Sequence, residues 1–205
     1  MNAARTIACA TTKTGLFTLT RPAEKTLRAL IEQNKDAPFS YPAVGASRAG
    51  PLPAGYNVDR NRVWLGTGPE VFEAAKLALQ SWAMFDLEWV SIFPRDTKIR
   101  PGAVVAVVVS HFGFWSVNVS RIVFVENPCS FAYGTLNEHA ESGEEKFTVR
   151  WDQTDDSVWY DVLAFSKPNH ALARIGYPLT RILQKRFARD SMAALAERCR
   201  FRSPH

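Results

Sequence analysis

The sequence predicts an α+β fold in which a curved antiparallel β-sheet wraps around a long C-terminal helix, a helix-grip arrangement. Between residues 87 and 166 apolar residues recur mainly at alternate positions, which is the period of half-buried strands. Between residues 172 and 195 they recur every three or four positions, which is the period of an amphipathic helix. A sheet with one buried face needs a cover, and this helix is the expected cover.

The elements before the sheet are predicted from capping and turn residues. A first helix is expected to open at residues 21–22, because Thr20 can cap it and Pro22 suits a first turn. The proline- and glycine-rich stretch 36–57 predicts a long loop, and alternation predicts a strand over 58–65. Gly68 and Pro69 then predict the start of a helix that ends near Met84.

The sheet itself is predicted from six further segments. Alternating or wholly apolar runs predict strands over 87–93, 103–111, 116–125, 130–136, 145–151 and 158–166. The polar stretch 137–145 is expected to be a loop, and Asp155 to Ser157 a hairpin turn. Pro178 predicts a kink or a break in the C-terminal helical pattern.

Composition places the chain among folded proteins of one domain. Of its 205 residues 46% are hydrophobic and 22% are charged. We expect an N-terminal extension (1–20), a single domain (21–198) and a basic tail (199–205). Apolar runs all fall short of the roughly 18 residues of a membrane span. The three cysteines are far apart, which favours a reducing compartment and no metal site, so we expect a cytoplasmic protein without cofactor.

Positive charge is concentrated at the C-terminal end of the chain. The net charge is +5, and residues 171–205 alone carry eight basic and two acidic residues. A helix with this charge could meet an anionic membrane surface through Arg181, Lys185, Arg186 and Arg189, which would make the location peripheral to a membrane. The alternative is a solvated helix face. No nucleic-acid reading motif accompanies the helix, so we expect no nucleic-acid partner.

Several sequence blocks resemble the DUF1990 (UPF0548) family over about residues 25–195. The blocks are Ser40–Ala46, Gly55–Asp59, Arg62–Gly66, His111–Ser116, Phe131–Leu136 and Phe165–His170. The strand order is similar to that of the Bet v 1/START-like (SRPBCC) superfamily. That resemblance implies a cavity between sheet and helix that binds hydrophobic ligands, with cyclases and hydrolases among the relatives. Plant members of the family imply an association with the chloroplast outer envelope. The family supplies no catalytic residues to transfer.

Histidines and carboxylates provide the first candidate site. His111 lies where an apolar strand meets an aromatic turn, and could be a general base or a ligand anchor, or a hydrogen-bonded core histidine. His139 and Glu141 are two residues apart and could form a pair on one face, or belong to a solvated loop. Tyr133, Glu144 and Glu145 complete this first candidate group.

The other candidates come from polar residues within apolar strands and at loop ends. Arg121 and Asp161 could pair across the sheet, inside a cavity or structurally, because a buried unpaired charge is costly. The remaining ligand-binding candidates are Tyr56, Trp115, Trp159 and His170. Tyr56 belongs to a group in and after the long loop that could carry binding residues, together with Asn57, Asp59, Arg60 and Arg62. Asn57 and Asp59 could equally be turn formers.

Three functions therefore remain open. The leading hypothesis is the binding of a hydrophobic or amphipathic small molecule, with lipid as one possibility, in a sheet–helix cavity. The second is a cyclase- or hydrolase-like enzyme with His111 or His139 as general base and Glu141 or Asp161 orienting it. The third is a membrane-associated or pore-related protein. No P-loop, dinucleotide, HExxH or GxSxG motif is present.

Overall fold

The computed structural model describes residues 11–12, 15–126, 128–136, 139, 141–169 and 177–200. The strands are β1 (Thr11–Thr12), β2 (Gly15–Thr18), β3 (Asn57–Thr67), β4 (Val90–Phe93), β5 (Val104–His111), β6 (Phe114–Glu126), β7 (Ser130–Thr135), β8 (Glu141–Asp152) and β9 (Ser157–Pro168). The helices are α1 (Glu24–Asn34), α2 (Pro69–Gln80) and α3 (Tyr177–Arg200), and a 3-10 turn spans Ala83–Phe85.

Seven strands form one antiparallel sheet in the order β4-β5-β6-β7-β8-β9-β3. The short β1–β2 ribbon adds to the same sheet, because β2 pairs with the first part of β6 while β7 pairs with its second part. The register shifts within β6, between Ile122 and Phe124, and within β3, between Trp64 and Gly66. Such bulges bend strands and increase the twist of a sheet.

The concave face of the sheet carries the main hydrophobic core. Helices α2 and α3 and the 3-10 turn pack against it. Phe85, Phe131 and Phe147 are fully buried there, and their rings contact one another and Tyr133. Edge-to-face and tilted ring contacts of this kind add to the stabilisation that comes from buried area.

The convex face is also covered, by α1 and by the long loop 36–56. Leu27 and Leu30 of α1 pack on Val108 and Val117 of the central strands. The loop packs closely on this face, since only 3% of the surface of Tyr41 is exposed. The sequence predicted a long loop here, but not that it would seal the outer side of the sheet.

Three element boundaries differ from prediction. Helix α1 begins at Glu24 after an extended Ala23, so the predicted cap at Thr20 is wrong. Helix α2 begins after Gly68 as predicted, but it ends at Gln80 because Trp82 adopts a left-handed backbone. In β4 the buried residues are Val90 and Ile92, so the predicted alternation beginning at residue 87 had the wrong phase.

The largest correction concerns the predicted loop 137–145. Strand β8 already begins at Glu141 and pairs with β9 along its whole length. Its first four residues are buried, although three of them are polar. Tertiary hydrogen bonds outweigh their weak strand preference. At the termini, β2 lies within the predicted extension and α3 runs to Arg200, so the sheet and the helix extend past both expected domain limits.

Candidate cavity site

A cavity of about 730 Å³ lies between the concave face of the sheet and helix α3. Its apolar wall comes from the central strands, the 3-10 turn and the helix, and includes Phe85, Trp89, Val90, Val107, Val109, Leu179, Leu183 and Phe187. Its polar wall comes mainly from β3, β7, β8 and β9 and includes Asp59, Asn61, Tyr133, Thr135, Glu141, Glu145 and Ser166. Both sets of residues line one space, so the cavity offers an amphipathic molecule apolar surface and a smaller number of polar groups.

Strand register explains which residues reach the cavity. Glu145 is paired with Tyr133 on one side and with Ala164 on the other. Paired residues in a sheet point to the same face, so all three line the cavity. Residues one position away on each strand, such as Glu144 and Phe165, have side chains that contact Tyr41 on the convex face. Tyr41 belongs to the loop 36–56, which we call the covering loop.

Tyr133 and Glu145 form a short polar contact in the cavity wall. The Tyr133 hydroxyl donates a hydrogen bond of 2.5 Å to Oε2 of Glu145. Burial is the main cause that raises the pKa of Glu145 to about 7, and the hydrogen bond from Tyr133 opposes that rise. Burial also raises the pKa of Tyr133 well above its ordinary value. At neutral pH the tyrosine is therefore a hydrogen-bond donor, and the glutamate is only partly ionised.

Glu141 is a second buried carboxylate of the polar wall. Only 6% of its surface is exposed, and no described residue donates a well-formed hydrogen bond to either oxygen, although Ser166 and Gln184 lie close enough to affect its pKa. Burial raises its pKa, while Ser166, Arg181 and Gln184 offset part of that rise. A buried carboxylate without a hydrogen-bond donor is costly, so this position is suited to a donor supplied from outside the protein.

An ion pair ties helix α3 to the opposite edge of the cavity. The Arg181 guanidinium donates to both oxygens of Asp59, at 2.5 and 2.7 Å. Arg181 also donates to Gln184, whose amide reaches the Ser166 hydroxyl at 3.3 Å. The hydrogen bond from Arg181 is the main cause that lowers the pKa of Asp59. This chain of contacts joins β3, β9 and α3 and compensates the charge of Asp59.

Both candidate histidines line the cavity, and burial lowers the pKa of each. The Nε2 atom of His111 lies 3.1 Å from the Ser116 hydroxyl, and burial lowers the pKa of this histidine. His139 accepts a hydrogen bond of 2.9 Å at Nδ1 from the main-chain N–H of Glu141, and burial lowers its pKa to about 4. The expected contact between His139 and the carboxylate of Glu141 is therefore made by the main chain instead.

Comparison with protein families identifies the family of this chain. The profile of the DUF1990 family, described as "Domain of unknown function (DUF1990)", matches residues 40–194. The chain belongs to this family. A UPF0548 protein of Dictyostelium discoideum is 30% identical over 199 residues, which cover 86% of this chain and 92% of that protein. One of Deinococcus radiodurans is 32% identical over 189 residues, covering 85% and 94%.

Solved structures place this DUF1990 chain among helix-grip folds. The Zhui aromatase/cyclase from Streptomyces sp. R1128 matches with a TM-score of 0.52 at 12% identity, covering 71% of this chain and 94% of that one. The di-domain aromatase/cyclase BexL matches with a TM-score of 0.52 at 12% identity, covering 72% of this chain and 51% of that one. The predicted α+β helix-grip fold, with its Bet v 1/START-like strand order, is confirmed.

Arg121 and Asp161 do not pair with each other and lie outside the cavity. Arg121 donates to the main-chain carbonyls of Asn34 and Lys35 at the end of α1, at 3.0 and 2.6 Å. Asp161 accepts from Arg62 at 2.5 Å. Each of them points to the convex face because of its position in the strand. The expected pair between them is wrong, and each compensates a local charge or helix end instead.

The other predicted ligand-binding residues lie either outside the cavity lining or outside the described residues. Trp159 is on the convex side of β9 beside Arg62, and Trp115 packs on the cluster beneath α1. Tyr56 contacts Phe165 at a ring distance of 5.5 Å and lies under Lys167, outside the cavity lining. His170 lies outside the described residues. Of the eight predicted ligand contacts, His111 and Tyr133 line the cavity.

The basic residues of α3 are largely engaged within the protein. Arg181 binds Asp59, while Arg186 and Arg189 both contact Asp190. Lys185 is exposed and lies at the edge of the cavity. Along the described ranges, no helix combines the length and the apolar character needed to cross a membrane. In the same part of the chain, no three His, Cys, Asp or Glu side chains are grouped as metal ligands.

Several cavity residues were missed by the sequence analysis. Asp59 is expected from sequence to be either a binding residue or a turn former, whereas Ser166 and Gln184 receive no role. The available signal was the amphipathic pattern of α3, which places Leu183 and Phe187 on the buried side with Gln184 beside them. The pattern could not show that this side faces a cavity rather than a filled core.

Proposed function

We propose that this protein binds a hydrophobic or amphipathic small molecule in the cavity between its sheet and helix α3. One observation carries the proposal, namely the space of about 730 Å³ with one apolar wall and one polar wall. Binding sites for small organic molecules have volumes of about 300–1,000 Å³, mainly apolar walls and a few polar groups that orient the ligand. Two proteins with this fold carry the name aromatase/cyclase, which is in keeping with a small organic ligand.

The free energy of binding would come from the apolar wall. Side chains such as Trp89, Val107, Val109 and Leu183 belong to the core or pack against it, and they also present apolar surface to the cavity. Covering them with an apolar ligand would contribute about 25 cal/mol for each Å² removed from water. The polar wall would contribute orientation, because a ligand must satisfy those groups when it displaces water.

Two substitutions on neighbouring residues of β9 test the proposal. Ala164 lines the cavity, whereas Leu163 is on the other face of the same strand. Ala164→Phe places a ring in the cavity, and Leu163→Phe adds a ring outside it. The neutral dye N-phenyl-1-naphthylamine should bind the wild type and Leu163→Phe with similar affinity, measured by fluorescence titration. Its affinity for Ala164→Phe should fall at least tenfold.

A second cavity variant keeps the test valid if Ala164→Phe does not fold. Val109→Trp fills the cavity from β5, and thermal unfolding shows whether each variant is folded. Absence of dye binding to the folded wild type would contradict the proposal. Equal affinity for the wild type and both folded cavity variants would do the same, because the dye would then bind elsewhere.

Acid–base chemistry on the bound molecule is the second candidate function. The observation that favours it is the pair of histidines on the cavity wall, His111 and His139, which burial keeps in the neutral form that accepts protons. Asp161 has no place in this candidate because it lies on the convex face. Mass spectrometry of molecules extracted from the wild type and from His111→Gln tests it. Different bound species in the two proteins would support a reaction, and identical species would support binding alone.

A function at a membrane surface is not favoured by the described contacts. Three of the four arginine and lysine residues expected to carry it, Arg181, Arg186 and Arg189, are engaged with Asp59 or Asp190. Their charge is thereby partly compensated within the protein, which weakens attraction to anionic lipids. We therefore confine the proposal to the cavity.

A further inference from the structure

The cavity contains carboxylate oxygens that no described group of the protein satisfies. Glu145 receives the Tyr133 hydroxyl at Oε2, and no described residue donates to its Oε1. Both oxygens of Glu141 lack a hydrogen-bond donor among the described residues, although that side chain is more than nine-tenths buried. Glu141 and Glu145 lie on the same face of β8, separated by Gly143, which also lines the cavity.

The positive groups around these carboxylates leave the polar wall acidic. Arg181 is occupied by both oxygens of Asp59. Lys185 is the one lysine or arginine among the described lining residues, and its side chain is exposed at the edge of the cavity. A negatively charged ligand group would therefore meet two buried carboxylates, and like charges in a poorly solvated site repel strongly.

We infer that the ligand carries a hydrogen-bond-donating group, a hydroxyl or a protonated amine, which binds the free oxygen of Glu145. This inference rests on the proposed function. The apolar body of the ligand lies along the wall that contains Val107, Val109 and Phe187, and Glu141 keeps the polar side of the cavity unfavourable to anions. The same charge weakens the binding of ligands that end in a carboxylate or a phosphate.

The titration of Glu145 gives this selectivity a dependence on pH. Because burial raises the pKa of this carboxyl to about 7, it is largely protonated at pH 6 and largely ionised at pH 8. Preference for an amine over an acid should therefore increase between these two pH values. The other titratable residues of the cavity lining are Asp59, His111, Tyr133, His139, Glu141, Glu144 and Lys185. The carboxylate of Glu144 is bound by Tyr41 and Ser47 of the covering loop.

A matched series of twelve-carbon compounds tests the inference. Dodecylamine, dodecanol and dodecanoic acid share one apolar chain and differ in the terminal group. Their affinities are measured at pH 8 by displacement of N-phenyl-1-naphthylamine. For the wild type we expect the amine and the alcohol to bind at least tenfold more tightly than the acid. The alcohol shows whether a neutral donor suffices, and the amine shows whether charge adds to the affinity.

Three variants show which carboxylate produces the preference for the amine over the acid. Glu145→Gln keeps the shape and an acceptor oxygen but removes the charge, so the amine-to-acid ratio should fall at least fivefold while alcohol binding changes less than threefold. Glu141→Gln should lower the ratio by a smaller factor. Asp161→Asn removes a carboxylate from the convex face and should leave the ratio unchanged, which makes it the control.

The outcomes separate this inference from the proposed function. If neither the dye nor any of the three compounds binds, the proposed function itself fails. If the compounds bind and the acid binds as tightly as the amine, the inference is wrong while the cavity remains a binding site. An unchanged ratio in Glu145→Gln would also overturn it, because selectivity would then come from another group.

Discussion

The hydroxyl of Tyr41 donates a hydrogen bond of 2.7 Å to Oε2 of Glu144, across 103 residues of sequence. The main-chain N–H groups of Gly45 and Ser47 donate to the same carboxylate at 2.7 and 3.0 Å, and the Ser47 hydroxyl donates as well. The Tyr41 ring fits only because residue 134 is glycine, where an added Cβ would come within 2.0 Å of the hydroxyl oxygen. The covering loop is thus fixed to the strand that supplies the cavity carboxylates.

Glu144→Gln should destabilise the protein by about 3 kcal/mol, because a buried carboxylate with several donors would be replaced by an amide with one acceptor oxygen. Urea unfolding gives the free energy of unfolding. Glu32→Gln is the control, since Glu32 is exposed and contacts only Lys35 in its ion pair, and should cost about 0.5 kcal/mol or less. A loss for Glu144→Gln no larger than that of the control would contradict the role given to this contact.

Glu145→Gln should become more stable relative to the wild type as the pH rises from 5 to 8. Since burial raises the pKa of Glu145 to about 7 from 4.5, its contribution favours folding below about pH 4.5 and is lost as the pH rises through 7. The relative gain at pH 8 should be at most about 3 kcal/mol. His139, with a pKa lowered to about 4, changes stability in the opposite direction.

The measurement is the difference in unfolding free energy between Glu145→Gln and the wild type at each pH. Taking the difference removes the contribution of His139, because that histidine is present in both proteins. A difference that stays constant from pH 5 to pH 8 would show that Glu145 titrates at an ordinary pH.

Tyr133→Phe should raise the pKa of Glu145 above its value of about 7. The tyrosine hydroxyl donates to the carboxylate and so stabilises the charged form, and the variant lacks that donor. Carboxyl ¹³C chemical shifts followed by NMR over pH 4–9 give the pKa directly. Tyr160→Phe is the control, because the Tyr160 hydroxyl pairs with Ser191 at 3.4 Å. A lowered or unchanged pKa in Tyr133→Phe would contradict the expected role of the hydrogen bond.

The ion pair between Asp59 and Arg181 should show a coupling free energy of about 1 kcal/mol at pH 7 in a double-mutant cycle. Both side chains are partly exposed, at 29% and 22%, which limits the value despite the two-point geometry. Because Arg181 lowers the pKa of Asp59, the coupling should be present above pH 4 and should be lost as the solution is acidified. The variants are Asp59→Asn, Arg181→Gln and both together. Equal coupling free energies at pH 7 and pH 2.5 would contradict the attribution of the coupling to the ionised Asp59–Arg181 pair.

The fold could be predicted from sequence because its main elements have regular periods. Strand alternation from residue 103 to 125 and helical spacing after Pro178 gave the sheet and its covering helix. The predicted starts of strands were least accurate where contacts between distant parts of the chain, and not the local sequence, determine the structure. The segment Glu141–Glu145 has the composition of a loop, but it pairs with β9 as a strand, and the covering loop contacts the side chains of Ser142 and Glu144.

The site was harder to predict because a face of a sheet is assigned by the three-dimensional arrangement. Arg121 and Asp161 were grouped as polar residues in apolar strands, yet both side chains belong to the convex face. His111 and Tyr133 line the cavity, and their contact with a ligand stays a prediction. Periodicity separates the two faces of a strand, but it does not show which of them has the cavity when both are covered.

The most direct test of the central claim is native mass spectrometry of the wild type and Ala164→Phe, each purified without detergent and then exposed to dodecanol. The account predicts a wild-type complex with one bound molecule and little or no complex for Ala164→Phe. Leu163→Phe should behave as the wild type. A wild type that stays unbound, or a complex of equal abundance in all three proteins, would contradict the assignment of the sheet–helix cavity as a binding site.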